Sequence, residues 1–214
     1  MQRWIDPLRR AVRRERDRRR TAATPYAWLF QPYLGDEWVA LAWRLGTNAT
    51  PVSSTTPAVT LAAIIARGQR IMTSRSWVVT LTDDVTPAPC PMQRRHELLY
   101  APDAVVPGNR SSFATLAEFI GNRPLVGWQL GQGLAALSPR LRRSLGFELP
   151  NARVDLAALH QRYLRRLHPH VDATTDFTTA LACWQVDDAP SYDLRREAVA
   201  AALLYLCFQR LSRR

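Results

Sequence analysis

Residues 37–43 read EWVALAW, residues 58–66 read AVTLAAIIA and residues 69–82 read QRIMTSRSWVVTLT. The first run is almost continuously apolar, which is typical of a central strand that is covered on both faces. The second and third runs are joined by the tight Arg67-Gly68 turn, so they are predicted to form a hairpin. The sheet is therefore expected to begin with three antiparallel strands.

From residue 113 onward, the pattern changes to an alternation of helices and strands. Short apolar strands are predicted at 124–128 and 152–156, and helices at 113–120, 134–145, 157–167, 173–184 and 194–211. This order predicts an α/β fold with a mixed five-stranded sheet, three antiparallel strands followed by βα units, flanked by helices. Residues 83–112 are rich in proline and lack periodicity, so we expect a surface excursion there.

The N-terminal segment is strongly basic. Residues 1–20 contain nine arginines and three acids, so six of the eleven net positive charges lie in the first tenth of the chain. A basic helix is predicted over 8–20, with a thin apolar stripe that includes Val12. We assign residues 1–25 to this helix and its linker, and residues 26–214 to the main domain. A basic arm on a nearly neutral body predicts an acidic partner, which would be nucleic acid, an anionic membrane surface or an acidic protein face.

Several classes of protein are excluded by composition. The longest strongly apolar stretch, residues 198–208, is about half of what a transmembrane helix needs, so no integral membrane association is expected. The N-terminus lacks the apolar run of a signal peptide. Cys90, Cys183 and Cys207 contain no Cys-x-x-Cys pair and are odd in number. We therefore expect a cytoplasmic protein with reduced thiols.

Four segments, in this order, carry a family resemblance: GDEWVAL at 35–41, AVTLAAIIARGQRIMTS at 58–74, FIGNRPLVGWQL at 119–130 and LPNARVDLAAL at 149–159. Together with the C-terminal helix, they resemble the DEDD-type 3′–5′ exonuclease superfamily. Within it, the likeness is to the proofreading epsilon subunit of DNA polymerase III. The resemblance covers residues 26–210 and implies a ribonuclease-H-like fold.

The resemblance also implies a set of site positions. In that family, four carboxylates hold two divalent metal ions, and a histidine or tyrosine acts as general base. The matching positions are Ala42 and Arg44 in the first strand, Gly133 for the third acid, Glu197 for the fourth and Tyr192 for the base. Only Glu197 keeps a carboxylate. Two Mg²⁺ ions would bring four positive charges to one acid and one arginine, so two-metal catalysis is expected to be lost.

The sequence therefore predicts a catalytically degenerate exonuclease-like protein that binds nucleic acid, a nucleotide or a protein partner without a cofactor. Arg44 either replaces the metal ions structurally, paired with Glu197, or receives a phosphate. The alternative is an active Mg²⁺- or Mn²⁺-dependent exonuclease of DNA or RNA that recruits other carboxylates. The candidates, otherwise expected to be solvated turn or cap residues, are Asp36, Glu37, Asp83, Asp84 and Asp193.

A third hypothesis is an interaction protein that works through its N-terminal arm. Arginines of the arm would neutralise phosphates with a steep salt dependence; they include Arg13, Arg14, Arg18 and Arg19. Aromatic side chains around the linker would stack on bases or fill a partner's groove. The alternative is that they pack along the edge of the domain; they are Trp4, Tyr26, Trp28, Phe30 and Tyr33.

Overall fold

The computed structural model describes residues 5–46, 58–82, 105–107, 110–167, 176–186 and 193–212. The strands are β1 (Glu37–Gly46), β2 (Ala58–Arg67), β3 (Arg70–Thr82), β4 (Val105–Pro107), β5 (Leu125–Gly127) and β6 (Arg153–Asp155). The helices are α1 (Ile5–Thr21), α2 (Arg110–Ile120), α3 (Leu130–Leu145), α4 (Leu156–Leu167), α5 (Phe177–Cys183) and α6 (Leu194–Ser212), and a 3-10 turn spans Ala27–Phe30.

The strands form one mixed sheet in the order β4-β3-β2-β1-β5-β6. β2 pairs antiparallel with both β1 and β3, whereas β5 runs parallel to β1 and β6 runs parallel to β5. Gly68 closes the β2–β3 hairpin at φ +53°, a left-handed conformation that glycine adopts without a steric penalty. The five predicted strands and the predicted hairpin are therefore confirmed, and the sheet is flanked by helices.

β4 is a sixth strand that the sequence pattern does not predict. It lies within residues 83–112, which were expected to be a surface excursion, and it pairs in parallel with Thr80–Thr82 of β3. A strand of three residues is too short to produce a periodic pattern. Pro107 fits an edge strand, because an edge residue does not need an N–H on its solvent side. The rest of 83–109 lies outside the described residues.

Alternate residues of β1 contact two different layers of the core. Val39 and Leu41 belong to a cluster with apolar side chains of α2 and α3. Trp38 and Ala40 point the other way and belong to a cluster with side chains of α4, α5 and α6. Because both faces of β1 are covered, its sequence is apolar at successive positions, as predicted for a central strand.

Helix α1 is attached to the domain by polar contacts. Asp17 is 3% exposed, and its Oδ2 atom accepts hydrogen bonds from Arg142 Nη2 at 3.5 Å and from the Glu148 backbone N–H at 3.4 Å. Val12, by contrast, is 63% exposed, so this residue of the predicted apolar stripe is not buried against the domain. The assignment of residues 1–25 as a separate unit stays a prediction.

The structure bears on two expectations from composition, the absence of a membrane span and the state of the cysteines. None of the helices in the described ranges is long and apolar enough to cross a membrane. Cys183 is exposed and Cys207 is half-buried, and both are free thiols, while Cys90 lies outside the described residues. The cytoplasmic location stays a prediction.

Candidate functional site

A cavity of about 230 Å³ lies at the carboxyl end of the central strand β1. It is lined by Leu41, Ala42 and Trp43 of β1, by Trp128 and Gln129 after β5, and by Phe177, Glu197 and Ala201 of α5 and α6. Because β1, β5 and β6 are parallel, their carboxyl ends meet at one edge of the sheet. Open α/β sheets bind their ligands at this edge.

Two of the positions identified from the resemblance meet beside this cavity. Arg44 Nη2 forms an ion pair with Glu197 Oε1, which joins β1 to α6. The Glu197 side chain is 17% exposed and that of Arg44 is 41% exposed, so the carboxylate lies deeper than the guanidinium. The structure therefore shows the first of the two alternatives for Arg44, its pairing with Glu197, and the binding of a phosphate stays a prediction.

Ala42 lies on the same face of β1 as Arg44, as residues two apart in a strand do. It is buried in a small apolar cluster that includes Leu194 and Ala198 of α6. An acidic side chain at this position would bring a charge into an apolar contact. The methyl group of Ala42 therefore suits the close approach of α6 to the strand.

Gly133 is placed differently from what the resemblance implies. It lies in α3 and does not line the cavity, because the indole ring of Trp43 covers it. A Cβ atom built on Gly133 would lie 2.6 Å from the Cδ1 and Nε1 atoms of Trp43. This position therefore has no room for a carboxylate beside Glu197.

Gln129 is a cavity residue that sequence reasoning missed. It precedes α3 with φ 47° and ψ 39°, a left-handed conformation that is uncommon for any residue but glycine. Such conformations cost about 1–3 kcal/mol and cluster at ligand sites. A signal was present in the sequence, because Gln129 directly follows the predicted strand at 124–128, where open α/β sheets collect binding residues.

One wall of the cavity is aromatic and is supported from behind by a buried histidine. The ring centroids of Trp128 and Phe177 are 5.4 Å apart, and those of Trp128 and His160 are 5.9 Å apart. His160 is fully buried, and its Nδ1 atom accepts a hydrogen bond of 2.8 Å from Trp184 Nε1. Burial lowers the pKa of His160, so the neutral imidazole is the form that holds Trp184 at the end of α5.

This buried histidine predicts a pH dependence of stability. Below its ordinary pKa of about 6.5, His160 takes up a proton in the unfolded chain before it does so in the folded chain. The free energy of unfolding is therefore expected to fall as the pH drops from about 6.5 toward the lowered folded pKa. In His160→Asn, the side-chain oxygen keeps an acceptor for Trp184 and cannot be protonated. Urea unfolding between neutral and mildly acidic pH should show a smaller loss of stability in this variant, and an equal loss would contradict the assignment.

Glu37 is not the solvated turn residue that was expected. Its side chain is 12% exposed and accepts hydrogen bonds from Arg123 Nε at 2.7 Å and from Arg75 Nη1 at 3.2 Å. The bond from Arg123 holds the pKa of the Glu37 carboxyl below its usual range. Glu37 begins β1, at the opposite end of the strand from Ala42 and Arg44. It therefore does not bring a substitute carboxylate to the cavity.

Two other acids are placed as expected. Asp193 caps α6, since its Oδ1 atom accepts a hydrogen bond of 2.9 Å from the Arg195 backbone N–H. Asp36 is 65% exposed and lies 3.3 Å from Arg67 Nε, as a solvated turn residue does. Neither of them lines the cavity.

The remaining candidates, Asp83, Asp84 and Tyr192, lie outside the described residues. Among the residues that are described, no three His, Cys, Asp or Glu side chains are grouped so that they could hold a metal ion. Glu197 is the one carboxylate among the described residues that line the cavity. The described part of the site therefore has one of the four acids that two-metal catalysis uses in the resembling family.

The arginines of α1 differ in how much of their charge is already compensated. Glu15 accepts hydrogen bonds from Arg18 at 2.7 Å and from Arg19 at 2.9 Å, and these bonds lower the pKa of Glu15 to about 2. Arg13 has a carboxylate oxygen at 3.9 Å, whereas Arg14 is exposed. Three of the four arginines of the arm that were predicted to bind phosphate therefore already have a carboxylate partner, although the contact of Arg13 is long.

Most of the aromatic side chains around the linker pack against the domain. Tyr26 and Phe30 contact a buried phenylalanine with ring centroids 5.4 and 5.7 Å away, and the Tyr33 hydroxyl accepts a hydrogen bond from the first backbone N–H of β1. Trp28 is 40% exposed, and Trp4 lies outside the described residues. Tyr26, Phe30 and Tyr33 therefore pack along the domain edge. Trp28 is the exposed ring among the four linker aromatics in the described residues.

No protein-family model matches this chain, and a search of curated proteins finds no match. The resemblance to exonucleases therefore depends on the four quoted segments. A proposal for function has to be built on the cavity at the end of β1 and the contacts around it.

Proposed function

We propose that this chain is a catalytically degenerate relative of the 3′–5′ exonucleases, with a ribonuclease-H-like domain that binds a nucleotide or the end of a single nucleic-acid strand without metal. The sheet supports this proposal. Three antiparallel strands followed by βα units are the arrangement that the resemblance implies, and β1 lies in the interior of the sheet. The cavity at the end of β1 is where the resemblance places its site.

The observation that carries the proposal is an arginine beside a cavity with an aromatic wall. The guanidinium of Arg44 offers a planar fork that matches a phosphate group. Trp128 and Phe177 offer ring faces on which a base can stack, a contact worth about 1–3 kcal/mol. At about 230 Å³, the cavity is small for a ligand pocket and fits a single base rather than a duplex end.

The ion pair also explains why binding would not need a metal. Glu197 is already neutralised by Arg44, so the cavity has no uncompensated negative charge from its described residues. A divalent ion would be repelled by the Arg44 guanidinium and attracted by the Glu197 carboxylate, and the two effects largely cancel because the pair is neutral. The described lining therefore lacks the excess negative charge that two Mg²⁺ ions would need. Arg44 is the more exposed member of the pair, 41% against 17%, so an approaching phosphate meets the guanidinium first.

Loss of the arginine should abolish most of the binding. We expect the protein to bind a fluorescently labelled single-stranded oligonucleotide in excess EDTA, and Arg44→Ala to weaken binding by at least about tenfold, since a charged hydrogen bond contributes about 1.5–3 kcal/mol. Fluorescence anisotropy measures both. Arg70→Ala is the matched control, because Arg70 is an exposed arginine at the opposite end of the sheet. If both variants weaken binding equally, the cavity is not the binding site.

The competing hypothesis of an active exonuclease makes the opposite prediction. We expect the protein with Mg²⁺ or Mn²⁺ to release no more product from end-labelled single-stranded DNA or RNA than Glu197→Gln does. Glutamine keeps the shape of the side chain and removes its charge. A metal-dependent product that disappears in Glu197→Gln would show that the site still catalyses hydrolysis and would overturn the degenerate assignment.

A further inference from the structure

Gln129 differs from the other side chains that line the cavity at the end of β1. It is exposed and makes no side-chain hydrogen bond within the described part of the chain. Its amide group carries a donor and an acceptor side by side. Glu197 is already paired with Arg44, and the other lining side chains are aliphatic or aromatic. Among the described lining residues, Gln129 is therefore the one whose side chain can both donate to a ligand and accept from it.

The local backbone does not account for a glutamine at this position. Gln129 has φ 47°, a conformation that glycine adopts without strain and that short polar side chains tolerate better than long ones do. Its side chain makes no cap hydrogen bond to α3. Glycine would therefore serve the turn and the helix at least as well, and the amide group remains available to a ligand.

The amide lies beside the aromatic wall of the same cavity. Gln129 directly follows Trp128, and the Trp128 ring is 5.4 Å from that of Phe177. A cavity of about 230 Å³ is only several ångströms across. A base that stacks on this wall therefore has its edge within reach of the Gln129 amide.

The chemistry of the lining favours one base over the others. Adenine carries its amino group next to a ring nitrogen, which is the complement of an amide oxygen next to an amide N–H, and glutamine pairs with adenine through both groups. Adenine has one exocyclic polar group, whereas guanine, cytosine and uracil each have two. The second group would face aliphatic and aromatic side chains without a partner, and an unpaired polar group that loses its water is unfavourable.

We propose that the cavity at the end of β1 selects adenine, and that Gln129 is the residue that determines this specificity. The inference rests on the proposed function, in which a base stacks on the aromatic wall and a phosphate meets Arg44. It adds the identity of the base and the side chain that recognises it.

Calorimetric titration of the full chain with AMP, GMP, CMP and UMP, in EDTA and at one ionic strength, tests this assignment. We expect AMP to bind at least about tenfold more tightly than each of the others. In Gln129→Gly, this preference should shrink to less than about threefold. Glycine removes the amide and suits the left-handed backbone, so the unfolding temperature of the variant should not be lowered.

Gln185→Gly is the matched control. Gln185 is also exposed, has φ 53° and lies outside the cavity lining, so this variant should keep the preference for AMP. Equal binding of all four nucleotides that is lost in Arg44→Ala would overturn the adenine assignment and leave the proposed function standing. A preference for AMP that survives Gln129→Gly, or that is lost equally in Gln185→Gly, would overturn the role of Gln129. If none of the four nucleotides binds saturably, this inference and the proposed function both fail.

Discussion

Gly133→Ala is expected to lower the free energy of unfolding by about 1–3 kcal/mol, the usual cost of forcing extra atoms into a packed site. The added Cβ atom would lie 2.6 Å from the indole ring of Trp43. The ring is rigid and packs against the core beneath the helices, so it cannot move away without opening a gap there. Urea unfolding monitored by circular dichroism measures the change.

The same helix contains a matched control for this variant. Gly131 lies two residues earlier in α3, and a Cβ atom built on it would have no heavy atom within 4 Å. Gly131→Ala is therefore expected to raise stability by up to about 1 kcal/mol, because alanine is the better helix former. Replacing Trp43 by leucine should reduce the cost of Gly133→Ala in a double-mutant cycle. A cost that is equal at both glycines, or unaffected by Trp43→Leu, would contradict the close contact.

Asn151→Ala is expected to cost about 2–4 kcal/mol, because it leaves two backbone carbonyl groups without a donor in a largely buried position. The Asn151 side-chain nitrogen donates to the carbonyl oxygens of Gly121 and Arg123, each at 2.7 Å. These bonds fasten the turn between α2 and β5 to the segment that leads into β6. Thermal and urea unfolding both report on the loss.

Asn122→Ala makes the same chemical change on the surface of that turn. Asn122 donates one hydrogen bond, of 3.3 Å, to the carbonyl of Gln31 at an exposed position. Its truncation is expected to change stability by less than about 0.5 kcal/mol, as surface substitutions usually do. If the two asparagine variants were equally stable, the bridging role of Asn151 would be wrong.

The strands and helices are predictable because their signals are local. AVTLAAIIA becomes β2, where seven of the nine residues are buried, since a run of apolar residues bounded by turns has few other ways to leave water. The change from strands to alternating helices likewise appears in the order of the apolar segments. β4 escapes prediction because its pairing with β3 is long-range and its three residues carry no pattern of their own.

The site is less predictable, because its residues act through contacts between distant elements. The resemblance assigns Arg44 and Glu197 to one site, and the structure pairs them. It assigns Gly133 to the same site, but the indole ring of Trp43 covers that glycine. The burial of Glu37 depends on arginines from β3 and from the turn before β5, which no local pattern reveals. Gln129 is distinguished from the other cavity residues by its left-handed backbone conformation, which the pattern of apolar and polar residues in the sequence does not encode.

The contact between Arg44 and Glu197 joins residues 153 positions apart, and this separation has a consequence for how the protein matures. A ribosome finishes β1 long before it makes α6. Until α6 docks, the contact between Arg44 and Glu197 is absent and the newly made chain exposes an apolar sheet face. Contacts of such long range form slowly, because a large loop has to close first. The ligand binding proposed for the end of β1 should therefore be among the last properties that a nascent chain acquires.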